Sequence, residues 1–497
     1  MIRATIGPMA AEGSATESSA PPNDHIRTTA RNAGWAYVSF VASKLLTFVA
    51  TVILARILVP SDFGLVGFAL VAMQYLDIVN RFGLDTAIVS WPEIDDDLLS
   101  TTFWFSVVTG FVFYAAAWFA APAVAEFFGD AGVTDLLRVI ALVLVIESFS
   151  IVHGALLRRD LRFKAKLVPD VIKGSTKGAA SIAFALGGAG AWSLAWGQVI
   201  GALCEMIALF ALVRFRPRLR FDRGRFGAFG RYGFHMISVE LLAAVRANVD
   251  YLFVGRVLGR AALGAYTLAY RLPELVIRSL NGVVGSVAHP VMARLQHDRD
   301  ALRAYYRDYV RIMATITVPA GVGMALIADP FVRLVYGTRW EAAIVPMQGI
   351  GIAMAITSVG WAPGVLYKAI NRPAMLNAVS IAKVPLAIGA LWWAAPRGID
   401  TVAWTQVGLA TAYLTIDTFG LRVITGIGFD VVASAVAGSI CGALAMSAVA
   451  RGITALGLAN GATLALTIVA GSAVYVVVLG VVRPSELREL RKLVLRR

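Results

Sequence analysis

Residues 54–68 read LARILVPSDFGLVGF, two apolar runs broken by Arg56, Pro60, Ser61 and Asp62, with Gly64 just beyond. The segment 254–268, VGRVLGRAALGAYTL, sets Arg256, Leu258 and Gly264 where the first has Arg56, Leu58 and Gly64. Each break reads as a tight hairpin between two helices. Proline lacks an N–H and suits the first turn of a helix, and an acid there meets the positive end of the helix dipole. Pro60 and Asp62 therefore end one helix and start the next, and Gly64 permits close packing after the turn. A separation of 200 residues is about six membrane helices with their connections. Six is an even number, so the two copies share one orientation: a parallel repeat about an axis near the membrane normal.

Composition supports a membrane setting. Of 497 residues, 58% are hydrophobic and 15% charged, whereas a soluble domain is about half apolar and one-quarter charged. The excess lies in blocks of about 18–25 residues, enough to cross a hydrocarbon core at 1.5 Å per residue. The fold class expected is an all-α polytopic membrane protein with about fourteen transmembrane helices. They form two six-helix lobes and a C-terminal pair. The net charge of +14 falls mainly in loops between apolar blocks, which speaks for topology and against nucleic acid. Residues 1–25 have no apolar h-region and are expected to be a disordered cytoplasmic tail.

Spans one to six are expected near 34–57, 63–81, 100–122, 135–157, 168–187 and 191–213, within an N-lobe at 26–213. A basic linker at 214–232 precedes a C-lobe at 233–421. Its spans lie near 233–257, 262–288, 309–328, 342–366, 374–395 and 400–421. Spans thirteen and fourteen fall within 422–482, before a basic tail at 483–497. An amphipathic helix is expected near 293–308. The stretch RFRPRLRFDRGRFGAFGR (214–231) carries seven arginines against Asp222, and Lys and Arg cluster in alternate loops. The positive-inside rule then puts both termini in the cytoplasm. The acidic loop WPEIDDDLL (91–99) falls inside too, since acids weigh little in orientation.

Ionisable groups in mid-membrane cost at least ~2.5–3.5 kcal/mol and face protein or a watery cavity. Lys44 and Asp77 occupy spans one and two. Span five carries Asp170, Lys173 and Lys177 on one face, and span eight Arg271, Glu274 and Arg278 at the same spacing. Span seven adds Glu240, Arg246 and Asp250, and span eleven Lys383. Lys44, Lys173, Lys177, Arg246, Arg271, Arg278 and Lys383 are the candidate substrate-binding cations of a central cavity. Asp77, Asp170 and Asp250 are candidates for ion coupling. The structural alternative is that Lys44–Asp77, Arg246–Asp250 and Arg271–Glu274 are salt bridges. Arg56 and Arg256, at helix ends, fit snorkelling, and Trp35, Trp91, Trp340 and Trp361 fit interfacial belts. No P-loop or paired-histidine motif occurs. Cys204 and Cys441 lack metal-ligand spacing. No metal, cofactor or enzymatic activity is expected.

The pattern GW (34–35), LARILVPSDFGLVGFALV (54–71) and FGLDTAIV (82–89), followed by FVRLVYGTRWEAA (331–343), resembles the polysaccharide transporter family. These are Wzx-type flippases of the multidrug/oligosaccharidyl-lipid/polysaccharide exporter superfamily. The resemblance implies a plasma-membrane flippase moving a polyprenyl-diphosphate-linked oligosaccharide outward by alternating access. Its partners would be the lipid-linked oligosaccharide and membrane lipids, with a polysaccharide polymerase and glycosyltransferases nearby. Alternatives are a drug/cation antiporter of the same superfamily, a lipid II flippase, or a membrane-embedded polymerase or glycosyltransferase.

Overall fold

The computed structural model describes residues 44–81, 84–91, 94–219 and 248–483. Helix α1 covers 44–57, followed by α2 (Pro60–Arg81), α3 (Leu84–Ser90) and α4 (Asp96–Phe128). Three short pieces come next: α5 (Gly132–Ile140), α6 (Leu142–Ser148) and α7 (Ile151–Arg159). Helices α8 (Phe163–Leu186) and α9 (Ala191–Leu212) end the first half of the chain. The second half opens with α10 (248–253), a π-helical turn at Val254–Leu258, α11 (Gly259–Pro273), a second π-turn at Glu274–Arg278 and α12 (Ser279–Arg294). It continues through α13 (Arg299–Phe331), α14 (Ile344–Val359), α15 (Trp361–Ala369), α16 (Pro373–Ala394) and α17 (Ile399–Thr425). Helices α18 (Phe429–Ala455) and α19 (Asn460–Val482) pack on each other and on α13.

Among the described residues nine helices are long and apolar enough to cross a membrane, or ten if a bent pair is one span. Expected spans five and eight are helical but carry three charges each, on α8 and on α11–α12. Expected spans one and seven lie partly outside the described residues, as do the tails at 1–25 and 484–497 and linker residues 220–232.

Two boundaries differ from expectation. Span four is not one rod: it bends by 48° between Gly132–Ser148 and Ile151–Arg159. The Ser148 hydroxyl donates to Val145 O at 2.7 Å, Ser150 to Glu147 O at 2.9 Å, and Ser106 of α4 to Ser148 O at 2.9 Å. Serine hydroxyls that take backbone carbonyls compete with the helix ladder and bend it. The amphipathic segment near 293–308 is largely the start of α13 rather than a separate helix, with Asp298 capping it through Ala301 N at 3.0 Å. Asp95 does the same for α4, accepting from Leu98 N at 3.0 Å, so the acidic loop has a structural task.

The opening stretch meets its echo. A Cβ added at Gly64 would stand 1.6 Å from Arg260 O, and one at Gly264 1.9 Å from Pro60 O. A shift of 200 residues exchanges these two contacts, so α2 and α11 cross as pseudo-symmetric partners with backbones touching. Small residues permit such approach in membranes.

The same end of the molecule joins α1 to the segment after α13. The Arg56 guanidinium donates to Val335 O at 2.8 Å and to Leu334 O, carbonyls of the π-turn Val332–Tyr336. Arg56 is thus a helix-end ligand rather than a snorkelling side chain. Trp340, expected at the lipid interface, is wholly buried; its indole N–H donates to Ala55 O at 2.7 Å and its ring meets Phe63 edge-on at 5.1 Å. Gly337, at φ +105°, makes the turn that aims it. Both sequence signatures are therefore halves of one contact. Trp340→Phe replaces the indole by a smaller ring and loses the N–H bond, so it should lower stability by about 1 kcal/mol for the bond and by a further amount for the space left in a wholly buried site. An unshifted thermal transition in detergent would overturn the buried contact of Trp340 with Ala55 and Phe63.

Candidate functional site

A cavity of about 430 Å³ lies between α2, α10–α12, α14–α15, α16 and α17. A smaller one of about 70 Å³ lies between α1, α2, α8, α9 and α11. Arg271, Thr267, Gly67 and Leu70 line both, so the two spaces meet at Arg271.

The fold places Arg271 by three means. The touching backbones of α2 and α11 set the helix position. Pro273 follows, and a proline within a helix removes an N–H and crowds the carbonyl four residues back. The π-turn Glu274–Arg278 absorbs that disturbance; such turns are frequent at functional sites. In this turn Glu274 pairs with Arg278 at 3.0 Å. The Arg271–Glu274 bridge open to the sequence does not form, because Glu274 is engaged one helical step further on. Arg271 is half-buried, its Nε is shielded from solvent without a hydrogen bond, and it forms no ion pair among the described residues.

Lys177 of α8 faces Arg271 across the smaller cavity. A Cβ at Gly197 would lie 2.9 Å from Lys177 O, and one at Gly201 2.8 Å from Lys177 Cβ, so α9 presses against the lysine backbone. The ammonium has no ion-pair partner among the described residues. It feels the like charges of Arg271, Lys173 and Lys44 and the opposite charge of Glu147. Ions buried in a membrane protein ordinarily pair; among the described residues these two do not.

The other expected cations are engaged or lie apart. Lys173 binds Glu147 at 2.7 Å and Glu205 at 2.6 Å. Lys383, 5% exposed, sits behind the larger cavity and meets Asp417 of α17 at 2.6 Å. Arg278 is held by Glu274. Lys44, at the exposed start of α1, and Asp77 of α2 are outside the lining of both cavities. Asp170 pairs with Lys166 on its own helix. Arg246 and Glu240 lie outside the described residues. Among the described residues, the expected cavity cations that form no ion pair are Lys177 and Arg271.

Asp250 lines the larger cavity, 2% exposed. It accepts from Tyr266 at 2.9 Å, Tyr270 at 2.7 Å and Gln406 at 2.7 Å, as well as from Tyr251 N at 3.0 Å. Four donors around one carboxylate offset the cost of burying it. The tyrosines and Gln406 escaped the sequence reading, as did Glu147 and Glu205. The two glutamates carry a usable signal, since a lone acid in an apolar helix calls for a cation nearby. Tyrosines scattered through apolar helices carry none. Trp361, expected in an interfacial belt, also lines the cavity.

Residues 53–345 match the polysaccharide biosynthesis protein family, more than half of the chain. The chain belongs to this family. Among its curated relatives is the succinoglycan biosynthesis transport protein ExoT of Rhizobium meliloti, 26% identical over 396 residues, 80% of this chain and 76% of that protein. Another is the lipopolysaccharide biosynthesis protein WzxC of Escherichia coli, 26% identical over 341 residues, 67% of this chain and 68% of that one. The matched family region opens on the α1 end that carries Arg56 and closes just beyond Trp340, so it contains both sides of the contact between the halves. Two solved structures share the fold. The lipid II flippase MurJ in an inward closed conformation superposes with TM-score 0.75 at 13% identity, covering 91% of this chain and 99% of that one. An inward-facing multidrug-resistance MATE family transporter gives 0.63 at 15% identity, covering 77% and 95%. This member of the polysaccharide biosynthesis family is a multi-pass membrane protein that shares the fold of those two structures.

Proposed function

We propose that the protein is a flippase moving a polyprenyl-diphosphate-linked oligosaccharide from the inner to the outer leaflet of the plasma membrane by alternating access. Its fourteen spans form two six-helix lobes and a C-terminal pair, with both termini cytoplasmic. The 200-residue relation between the α2 and α11 contacts supports that plan. The contact of Arg56 and Trp340 closes the outer end and has to open for release.

The observation that carries the substrate class is the pair Lys177 and Arg271, without ion-pair partners among the described residues, on helices of opposite lobes that line one cavity, which meets the larger one at Arg271. A diphosphate supplies the missing anion: arginine as a two-pronged donor, lysine as a point charge. The cationic-drug alternative needs a free carboxylate. Both acids of the larger cavity are already satisfied, Asp250 by its donors and Glu274 by Arg278.

In vesicles loaded with a labelled diphosphate-linked glycan, Arg271→Gln should slow transfer roughly tenfold to a hundredfold, the loss of one charged hydrogen-bonding partner worth ~1.5–3 kcal/mol. Unchanged transfer by a folded variant removes the reading.

A further inference from the structure

The larger cavity has a second end of different chemistry. Along α11 and α12 its lining runs from Arg271 through Glu274 and Arg278 to Asn281, about 15 Å at 1.5 Å per residue. On the facing helices it runs from Ile350 past Thr357 to Trp361. At this far end the charges cancel within the pair Glu274–Arg278. Asn281, 4% exposed, accepts from the Ser358 hydroxyl through Oδ1, which leaves its two amide N–H groups as donors. Trp361 is 44% exposed although it lines a cavity.

Each simple ligand class fails here except one. Among the described residues, an anion finds no unpaired cation at this end, and an organic cation finds no unpaired acid. An apolar ligand would strip water from the amide and the ion pair without replacing its hydrogen bonds. A polyhydroxyl ligand meets both needs. The C–H face of a pyranose ring packs on a flat indole, and its hydroxyls, each donor and acceptor, reach the amide, the carboxylate and the guanidinium. A cavity of about 430 Å³ is of the size of small-ligand sites, roughly 300–1,000 Å³.

We propose that Trp361, Asn281 and the Glu274–Arg278 pair form a glycan subsite for neutral pyranose units, distinct from the Lys177–Arg271 end that takes the diphosphate. The inference rests on the proposed function and divides its cargo into two recognised parts. The diphosphate supplies affinity common to all cargo, and the subsite lets the protein tell a finished repeat unit from a bare carrier lipid.

The test is equilibrium binding to the full chain in nanodiscs with two probes, undecaprenyl diphosphate and a synthetic undecaprenyl-diphosphate disaccharide of neutral hexoses. The wild-type protein should prefer the disaccharide by about tenfold. Trp361→Ala should erase that preference and leave binding of the bare lipid unchanged, which also reports that the variant is folded. Trp361→Phe, which keeps a flat ring, should retain most of it. Arg271→Gln should weaken both probes alike. Equal wild-type affinity for the two probes, or an undiminished preference in Trp361→Ala, overturns the subsite. Bare-lipid binding that ignores Arg271→Gln overturns the diphosphate reading, and the subsite falls with it.

Discussion

Replacing Lys177 and Arg271 together by glutamine should reduce transfer of a diphosphate-linked glycan by roughly a hundredfold to ten-thousandfold, the effect of two charge-assisted interactions at ~1.5–3 kcal/mol each. The same variant should melt at a higher temperature than the parent. Neither cation has a counter-ion among the described residues, and like charges face each other across the smaller cavity. Burying an unpaired charge is costly, so its removal relieves the resting protein. A structural role reverses the second sign, because breaking a pair leaves an orphaned partner and destabilises. Transfer assays and thermal melts on one preparation separate the two cases: slower transport with a raised transition marks groups kept for an absent anion. A lowered transition assigns the two cations to the scaffold.

The second large effect is expected at Gly64. A side chain there would place its Cβ 1.6 Å from Arg260 O, a backbone atom that no rotamer change can move. Gly64→Val therefore has to separate α2 from α11 along the whole crossing. That displacement disturbs Gly264 against Pro60, Arg56 on the π-turn and Trp340 on Ala55. Inserting volume into a packed core costs ~1–3 kcal/mol when side chains yield; a clash between backbones lies at or beyond the upper end. The expected outcome is loss of most of the monodisperse protein in size-exclusion chromatography. Any folded remainder should have the contact of Trp340 on Ala55 opened, read as labelling of a cysteine placed at Ala55 by a hydrophilic thiol reagent. A variant with normal yield and a shielded Ala55 position contradicts the crossing. Gly264→Val should behave alike, because the repeat makes the two sites equivalent.

The share of this that the sequence exposes follows from what each interaction requires. Helix-length apolar blocks, the hairpin at 54–68 and its echo are local patterns, and the lipid solvent enforces them one segment at a time. The intramembrane charges are legible for the same reason, since each stands out against its own helix. Pairing is another matter. Lys173 looks like Lys177 in sequence, one helical turn away on the same face, yet Glu147 and Glu205 neutralise the first and leave the second. Those glutamates come from α6 and α9, and the bend that brings Glu147 to α8 is set by serine hydroxyls. Lys383 and Arg271 differ likewise: Asp417 lies beside one, while the acid nearest the other in sequence, Glu274, is taken by Arg278.

Sequence by itself determined a polytopic helical membrane protein, its repeat of 200 residues and the set of charges held within the bilayer. Each of these is written in the period and composition of single segments. Only the tertiary structure decided which charges are free, because neutralisation depends on distance between helices remote in the chain. It also decided that LARILVPSDFGLVGF and FVRLVYGTRWEAA touch. No residue in either predicts the other; the contact exists because two copies of one hairpin cross closely enough for a carbonyl to fill the space of a missing Cβ.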